Sequence, residues 1–514
     1  MQVDRRKFVL GSSMLLGATV AAPAVNSAQG AAVVSEVKSG TGDGRSVKPA
    51  VATEALCEYT ARAQYADLDA RTIAKTKHRV LDLIGCAFGG AAGPGNAGLV
   101  DIVRIAGGAP QASVIGYPVK GSVAQVAMTN AVISRAYDFE VMTVVVGDRQ
   151  VASHHSPTTC MTALALSEHG KLPGKDLILA LTIGDDIAAR MLAASGLDFG
   201  QGWDGAPIYS TIAAAAIASR LSGLSSQQTQ DAFGLAVNTI SGTIQNIWDG
   251  ATDWKLPQGL AARNGIFAAQ LAASGWVGMG DALRAPYGFF RQYTAGCTHP
   301  EVLTADLGKR YYAEEYFKPY PACAATHLAI DCALDVHDGN KYDVTDITRI
   351  AIRQPASAFN SFVAKPFEMR RHPHCDANFS TQFQVANAVA NGITRIEHYA
   401  AASLQSPRML ALLDKTVLEP FSSPAQQGVE IEVSLRDGRK IVSRASGRPR
   451  HNPAEKGTTY AQLVEKFHYQ ARVSGFISPE HANQIVARID TLEAETNMAE
   501  FMGLVTRTYL PARS

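Results

Sequence analysis

From about residue 53 to 310 the chain is a nearly continuous succession of Ala, Leu, Ile and Gly in helical periodicity. That texture leaves few folds open. Apolar residues recurring every three to four positions line one face of a helix, and such faces are buried by packing on other helices. Thr72 to Cys86 places Ile73, Val80 and Ile84 on one such face. Gly170-Lys171-Leu172-Pro173-Gly174 ends one helix and opens the next, which runs through Ile178-Leu179-Ala180-Leu181. Thr211 to Leu221 is almost all Ala, Ile and Ser, and it predicts a central buried helix that its neighbours approach closely. Gly223-Leu224-Ser225 then caps a helix over Ser226 to Val237.

After about residue 312 the texture changes. Ile347-Thr348-Arg349-Ile350-Ala351-Ile352-Arg353 and Val429-Glu430-Ile431-Glu432-Val433-Ser434-Leu435 alternate with period two, as half-buried strands do. Asp437-Gly438 is a hairpin turn, with Lys440 to Ser443 as the returning strand. Gln382 to Ala390 reads as a helix between the strands. The expected fold is therefore mainly α. A large helical domain is built from 51–312 and 457–510, and a smaller α+β domain, 313–456, is inserted between its two parts.

The first 50 residues stand apart. Asp4-Arg5-Arg6-Lys7-Phe8 precedes a weakly apolar run broken by Gly11, Gly17 and Pro23, with small residues around Ser27-Ala28. This reads as a twin-arginine signal peptide over 1–32, which places the protein in the periplasm or otherwise outside the cytoplasm, with the translocase as its partner during export. An uncleaved membrane anchor is the alternative, but a span wants about 20 strongly apolar residues. Residues 33–50, rich in Gly, Ser, Ala and Val, read as a flexible linker. The remainder exceeds what one hydrophobic core usually holds. A net charge of +1 without single-sign runs argues against nucleic acid as a partner. Seven cysteines without a CxxC pair argue against a zinc site or a dense disulfide framework.

No nucleotide fingerprint, GxSxG or HExxH occurs. What remains is a set of polar residues on apolar ground, where burial is costly unless each is partnered. Asn130, Ser134, Tyr137 and Asp138 recur at helical spacing, which also fits a solvated helix end. His154-His155-Ser156-Pro157-Thr158 precedes an Ala/Leu helix that Ser156 or Thr158 could cap, and a histidine there can meet an anion held by the helix dipole. Lys255 opens a Gly/Ala helix and suits carboxylate capture, although a lone lysine is more often on the surface. Phe317-Lys318-Pro319-Tyr320-Pro321 forms a rigid lead into a helix carrying His327.

In their order these segments resemble the MmgE/PrpD family. The Asn130…Asp138-Phe139 stretch is followed by His154-x-Ser, Lys255-x-Pro-x-Gly-x-Ala-Ala, Lys318-Pro-Tyr-Pro-x-Cys…His327 and Ala377-Asn378-Phe379-Ser380-x-Gln382-Phe383. The family includes 2-methylcitrate dehydratases, cis-aconitate decarboxylases and iminodisuccinate epimerases, and the resemblance covers about 55–505. It implies a helical domain capped by an α+β lid, a homodimer, and an active site between the two that needs neither metal nor cofactor. It also implies catalytic roles for Asp138, His154 and Lys255. Two departures stand out. The family's further histidine has no counterpart, its place falling near Trp203-Asp204. Asp138-Phe139-Glu140-Val141-Met142 replaces the usual Asp-Phe-Asp-Asp-Thr, in a longer stretch before His154.

The family's chemistry implies proton removal from carbon beside a carboxylate. In the expected mechanism His154 is the base, a role its pKa suits at neutral pH, Asp138 orients it, and Lys255 holds a carboxylate. His155 is the alternative base. His155, Lys318, Tyr320, His327 and Asn130 are the expected substrate-binding residues. The leading expectation is a hydro-lyase that dehydrates a hydroxylated di- or tricarboxylate, 2-methylcitrate dehydratase-like. The alternatives are a decarboxylase or epimerase of a related polycarboxylate, or an exported binding protein without catalysis.

Overall fold

The computed structural model describes residues 52–146, 149–195, 201–312, 314–338, 342–453 and 455–506. The signal peptide and linker read from the sequence lie outside the described residues.

The helix Gly205–Leu221 is the hub of the helical part, and every residue from Gly205 to Ser219 is buried. Its small residues bring neighbours into backbone contact. A Cβ on Gly265, in the helix Leu256–Ala273, would stand 2.5 Å from Ala214 Cβ. One on Gly184, in the helix Gly174–Ser195, would stand 2.5 Å from Ile217. Neither glycine tolerates a larger residue without moving a helix. Ser225 and Gln228 form a capping box at the start of the helix Ser226–Val237. The helix Ala70–Gly90, N-capped by Asp69, packs on Tyr460–Ser474, where Gly85 and Gly89 lie against Phe467 and Gln470.

Two main hydrophobic cores result. The first runs from Ala52 to Phe317 and takes in Leu463 to Val505 at the end of the chain. The second lies within Tyr320 to Leu435. It sits on a four-stranded sheet ordered Thr416–Pro420, Ile347–Gln354, Val429–Leu435, Lys440–Ala445, whose first pair is parallel and whose other pairs are antiparallel. The helices His327–Asp338 and Thr381–Asn391 cover this sheet.

A three-stranded antiparallel sheet was not legible in the sequence. Its order is Arg149–Ser153, Met142–Val146, Glu314–Tyr316. Met142 pairs with Tyr316, and Thr143 pairs with Ser153. The same end of the sheet therefore carries Glu140 just before the middle strand, His154 just after one neighbour and Lys318 just after the other. The segment between Asp138 and His154 is thus a hairpin that gathers the site.

The seven cysteines form no disulfide, and all but Cys297 are buried. Among the described residues no helix is long and apolar enough to cross a membrane.

Candidate functional site

The helix Val123–Ser134 carries Asn130 and Ser134 but ends before Tyr137 and Asp138, which the sequence placed on the same helix. Arg135 is its C-cap, and Asp138 lies beyond it with φ 50°, in the left-handed region that Asp tolerates better than most residues. This turn directs both the carbonyl and a carboxylate oxygen of Asp138 at Lys318 Nζ, at 2.6 and 2.9 Å. Arg135 Nη1 donates to Asp138 and to Glu140, and its guanidinium lies 4.8 Å from the Trp254 ring centre. Arg135, Asp138, Glu140 and Lys318 are all buried. Two cations thus face two carboxylates where an unpaired charge would be costly.

His154 completes the cluster. Its Nδ1 lies 2.7 Å from Glu140 Oε1, 3.2 Å from Arg135 Nη1 and 3.6 Å from Asp138 Oδ1. An ionised carboxylate only accepts, so Nδ1 carries the hydrogen and donates it to Glu140. The lone pair is then on Nε2, which has no partner among the described residues. Burial, with the charges of Arg135 and Lys318, pushes the His154 pKa down to about 3 against the pull of Glu140, so the free imidazole is neutral. Glu140 is itself buried, and Arg135 and Lys318 hold its carboxyl well below the usual range. Burial lowers Lys318 to about 7, with Glu140 pulling the other way.

A cavity of about 480 Å³ opens in front of His154. Its walls include Met142, Asp204, Ile244, Trp248, Cys323 and Phe362. Gly205-Ala206, at the start of the helix Gly205–Leu221, and Ala324-Ala325, at the turn leading into His327–Asp338, also face it. Helix starts of this kind favour anions. Asp204 caps the first of them by accepting from Ala206 N at 3.1 Å, and burial raises its pKa.

The remaining residues proposed from sequence lie elsewhere. His155 faces the interior, with Nδ1 3.0 Å from Ser153 Oγ and Nε2 3.4 Å from Asp185, so adjacent histidines point to different surroundings. His155 is the N-cap of Ser156–Gly170 without a side-chain cap, and Thr158 donates instead to Gln258 O, so neither Ser156 nor Thr158 caps that helix. Lys255 is buried, with Nζ donating to Pro94 O at 2.6 Å and Asn96 Oδ1 at 2.7 Å, and it does not line the His154 cavity. Burial lowers its pKa to about 8. Asn130 ties down backbone, accepting from Ile115 N and donating to Ser113 O. His327 has both ring nitrogens engaged, by Tyr316 OH at 2.6 Å and Ala322 O at 3.1 Å. Tyr320 donates to Asp331 and lines a separate cavity of about 250 Å³ with Lys318, Arg395, His451 and Lys466.

The sequence reading did not single out Arg135, and it noted Glu140 only as a departure. The available signal was an arginine inside the apolar run Ala131-Val132-Ile133-Ser134 and Ala136, five residues before a buried glutamate.

Asp138, Glu140 and His154 each bring one ligand atom within 4.8 Å of the others. Two carboxylates and an imidazole are a donor set that suits Zn²⁺ or Fe²⁺. The Arg135 guanidinium already bonds both carboxylates there, so a metal ion would have to displace it.

The chain is similar to known proteins over most of its length. The chain is 26% identical over 483 residues to the cis-aconitate decarboxylase-like protein oryM of Aspergillus oryzae, an alignment that covers 88% of this chain and 97% of that one. It is 27% identical over 446 residues to the cis-aconitate decarboxylase of Homo sapiens, covering 82% and 88%. A cis-aconitate decarboxylase of Aspergillus terreus matches at 27% over 294 residues, covering 54% and 59%. The MmgE/PrpD N-terminal domain matches residues 54–300 and the C-terminal domain residues 320–492, so the chain belongs to the MmgE/PrpD family.

Proposed function

We propose that the chain is a lyase that decarboxylates an unsaturated polycarboxylate of the cis-aconitate kind. The observation that carries this reading is His154, fixed through Nδ1 by Glu140 so that Nε2 meets a cavity faced by two helix starts. The long alignments with cis-aconitate decarboxylases support the reaction class.

In such a reaction the C–C bond to one carboxylate breaks and carbon dioxide leaves. The released electron pair forms a new C=C bond, the former alkene pair moves to the far carbon, and that carbon takes one proton. His154 Nε2 delivers it. An anionic substrate beside the imidazole favours its charged form, so His154 takes up its proton as the substrate binds. Solvent restores that proton after turnover. Asp204, whose carboxyl burial shifts upward, also stands on the cavity wall.

A second reading, dehydration of a hydroxylated di- or tricarboxylate, rests on the same cavity with His154 in the opposite role. The neutral His154 removes the proton beside the carboxylate as the hydroxyl leaves.

Proton NMR in deuterated water tests both. Decarboxylation of cis-aconitate gives carbon dioxide and one deuterium at the former alkene carbon, whereas dehydration gives a new vinyl signal without carbon dioxide. His154→Gln should remove either activity. Unchanged turnover in that variant would sink the assignment.

A further inference from the structure

The wall of the His154 cavity has a composition that a compact tricarboxylate does not explain. Met142, Ile244, Trp248 and Phe362 supply much of it, and none of the described residues lining it is Lys or Arg. Ile244, with Trp248 and Phe362 packed against its cluster, continues into an apolar body that includes Trp254, Val363 and Phe379. This side of the cavity is therefore the surface of a small hydrophobic core. The polar features that suit an anion are the two helix starts and the side chains of Ser357, Asn360 and Ser361, with His154 and the cations of Arg135 and Lys318 behind it. The volume, about 480 Å³, falls in the range of about 300–1,000 Å³ typical of sites for larger ligands. A six-carbon acid would leave apolar wall facing water.

We infer that the substrate is amphipathic, with its carboxylates gathered toward His154 and the helix starts and an alkyl arm lying along Met142, Ile244, Trp248 and Phe362. The inference rests on the lyase reading for the position of the head. It extends that reading to a class of acid whose carbon chain is several methylenes longer than that of cis-aconitate. Burying the arm in this wall supplies binding energy that a wall without lysine or arginine does not supply through charge.

The arm can be tested apart from the chemistry. Calorimetric titration of the full chain with methyl-, propyl-, pentyl- and heptylsuccinate, none of which needs to react, should show Kd falling about fourfold per added methylene until the cavity is filled. Ile244→Asn and Phe362→Ser should each flatten that dependence. An affinity that is flat or falls with chain length in the wild-type protein would overturn the inference. The two readings fail separately. Loss of tricarboxylate turnover in His154→Gln together with a flat binding series removes the arm and leaves the lyase. A steep series together with unchanged turnover in His154→Gln keeps the arm and removes the assigned chemistry.

Discussion

His154 Nδ1 lies 2.7 Å from Glu140 Oε1 and 3.6 Å from Asp138 Oδ1, so the acid that orients this imidazole is Glu140. Asp138 has a different task, holding Arg135 and Lys318. The two carboxylates should therefore respond differently to amide substitution. Glu140→Gln allows Nδ1 to face an amide in either orientation, which frees the tautomer that places the hydrogen on Nε2. The expected loss is about 10²–10⁴-fold in kcat, the range for a misdirected proton-transfer group. In Asp138→Asn, which keeps the Glu140 contact, the expected main effect is lower thermal stability. Equal kcat losses in the two variants would contradict this division of roles.

Arg135 occupies the centre of a three-ligand nest. Arg135→Ala leaves Asp138, Glu140 and His154 with ligand atoms within 4.8 Å of one another, and only Lys318 remains to balance two carboxylates. Removing one partner of a buried ion pair costs about 3–5 kcal/mol, so the melting temperature should drop. Zn²⁺ should then bind and restore part of the loss, since a ligand that binds only the folded state stabilises it. Equilibrium dialysis and melting curves with and without zinc are the measurements. A variant that neither takes up zinc nor gains stability from it would show that the nest collapses without the guanidinium.

The helical part was legible because its signals are local. Ser225 caps the helix Ser226–Val237, the small residues of Thr211–Leu221 lie in the interior, and the two alternating segments near 347 and 429 are neighbours in one sheet. The site was legible only in part. His154 and Lys318 are brought together by strand pairing between residues near 142, 153 and 316, a non-local register that no single segment announces. Arg135 and Glu140 were obscured for a related reason. Each alone is a charged residue near a helix end, and only their shared burial with Asp138 and Lys318 distinguishes them from a solvated face. Lys255 was singled out for its position before a helix, and its ammonium donates to Pro94 O and Asn96 Oδ1, partners that the local sequence does not announce.

Substrate binding should take up a proton. In the free protein His154 is held neutral, at about 3. A multiply charged anion beside Nε2 raises that value in the complex, so the protonated form binds better. Affinity should strengthen as pH falls through the pKa of the complex and level off near that of the free protein. Calorimetric titration of a tricarboxylate in buffers of different ionisation enthalpy counts the protons directly. His154→Gln should abolish the uptake. Uptake that survives in that variant would assign the proton to another group, with Asp204 the first to examine.

Acid should weaken the fold through its buried histidines before it reaches most carboxylates. Burial lowers His155 and His374 to about 4 and His154 to about 3. The unfolded chain takes up protons on these rings near about pH 6.5, while the folded chain resists until about pH 4. The unfolded state therefore binds more protons throughout that window. Stability is complete above it and declines as pH falls across it, by up to about 1.4 kcal/mol per pH unit for each histidine. Buried carboxyls with raised pKa values, Asp82, Asp186 and Glu315 among them, act in the opposite direction, so the net slope depends on their balance. A single replacement isolates the effect. His374 meets Ala136 O through Nε2 at 2.7 Å, and glutamine can donate to the same carbonyl without titrating. In urea denaturation between about pH 6.5 and about pH 4, His374→Gln should lose stability less steeply than the wild type. Parallel curves for the two proteins would mean that His374 titrates in the fold as it does in the unfolded chain.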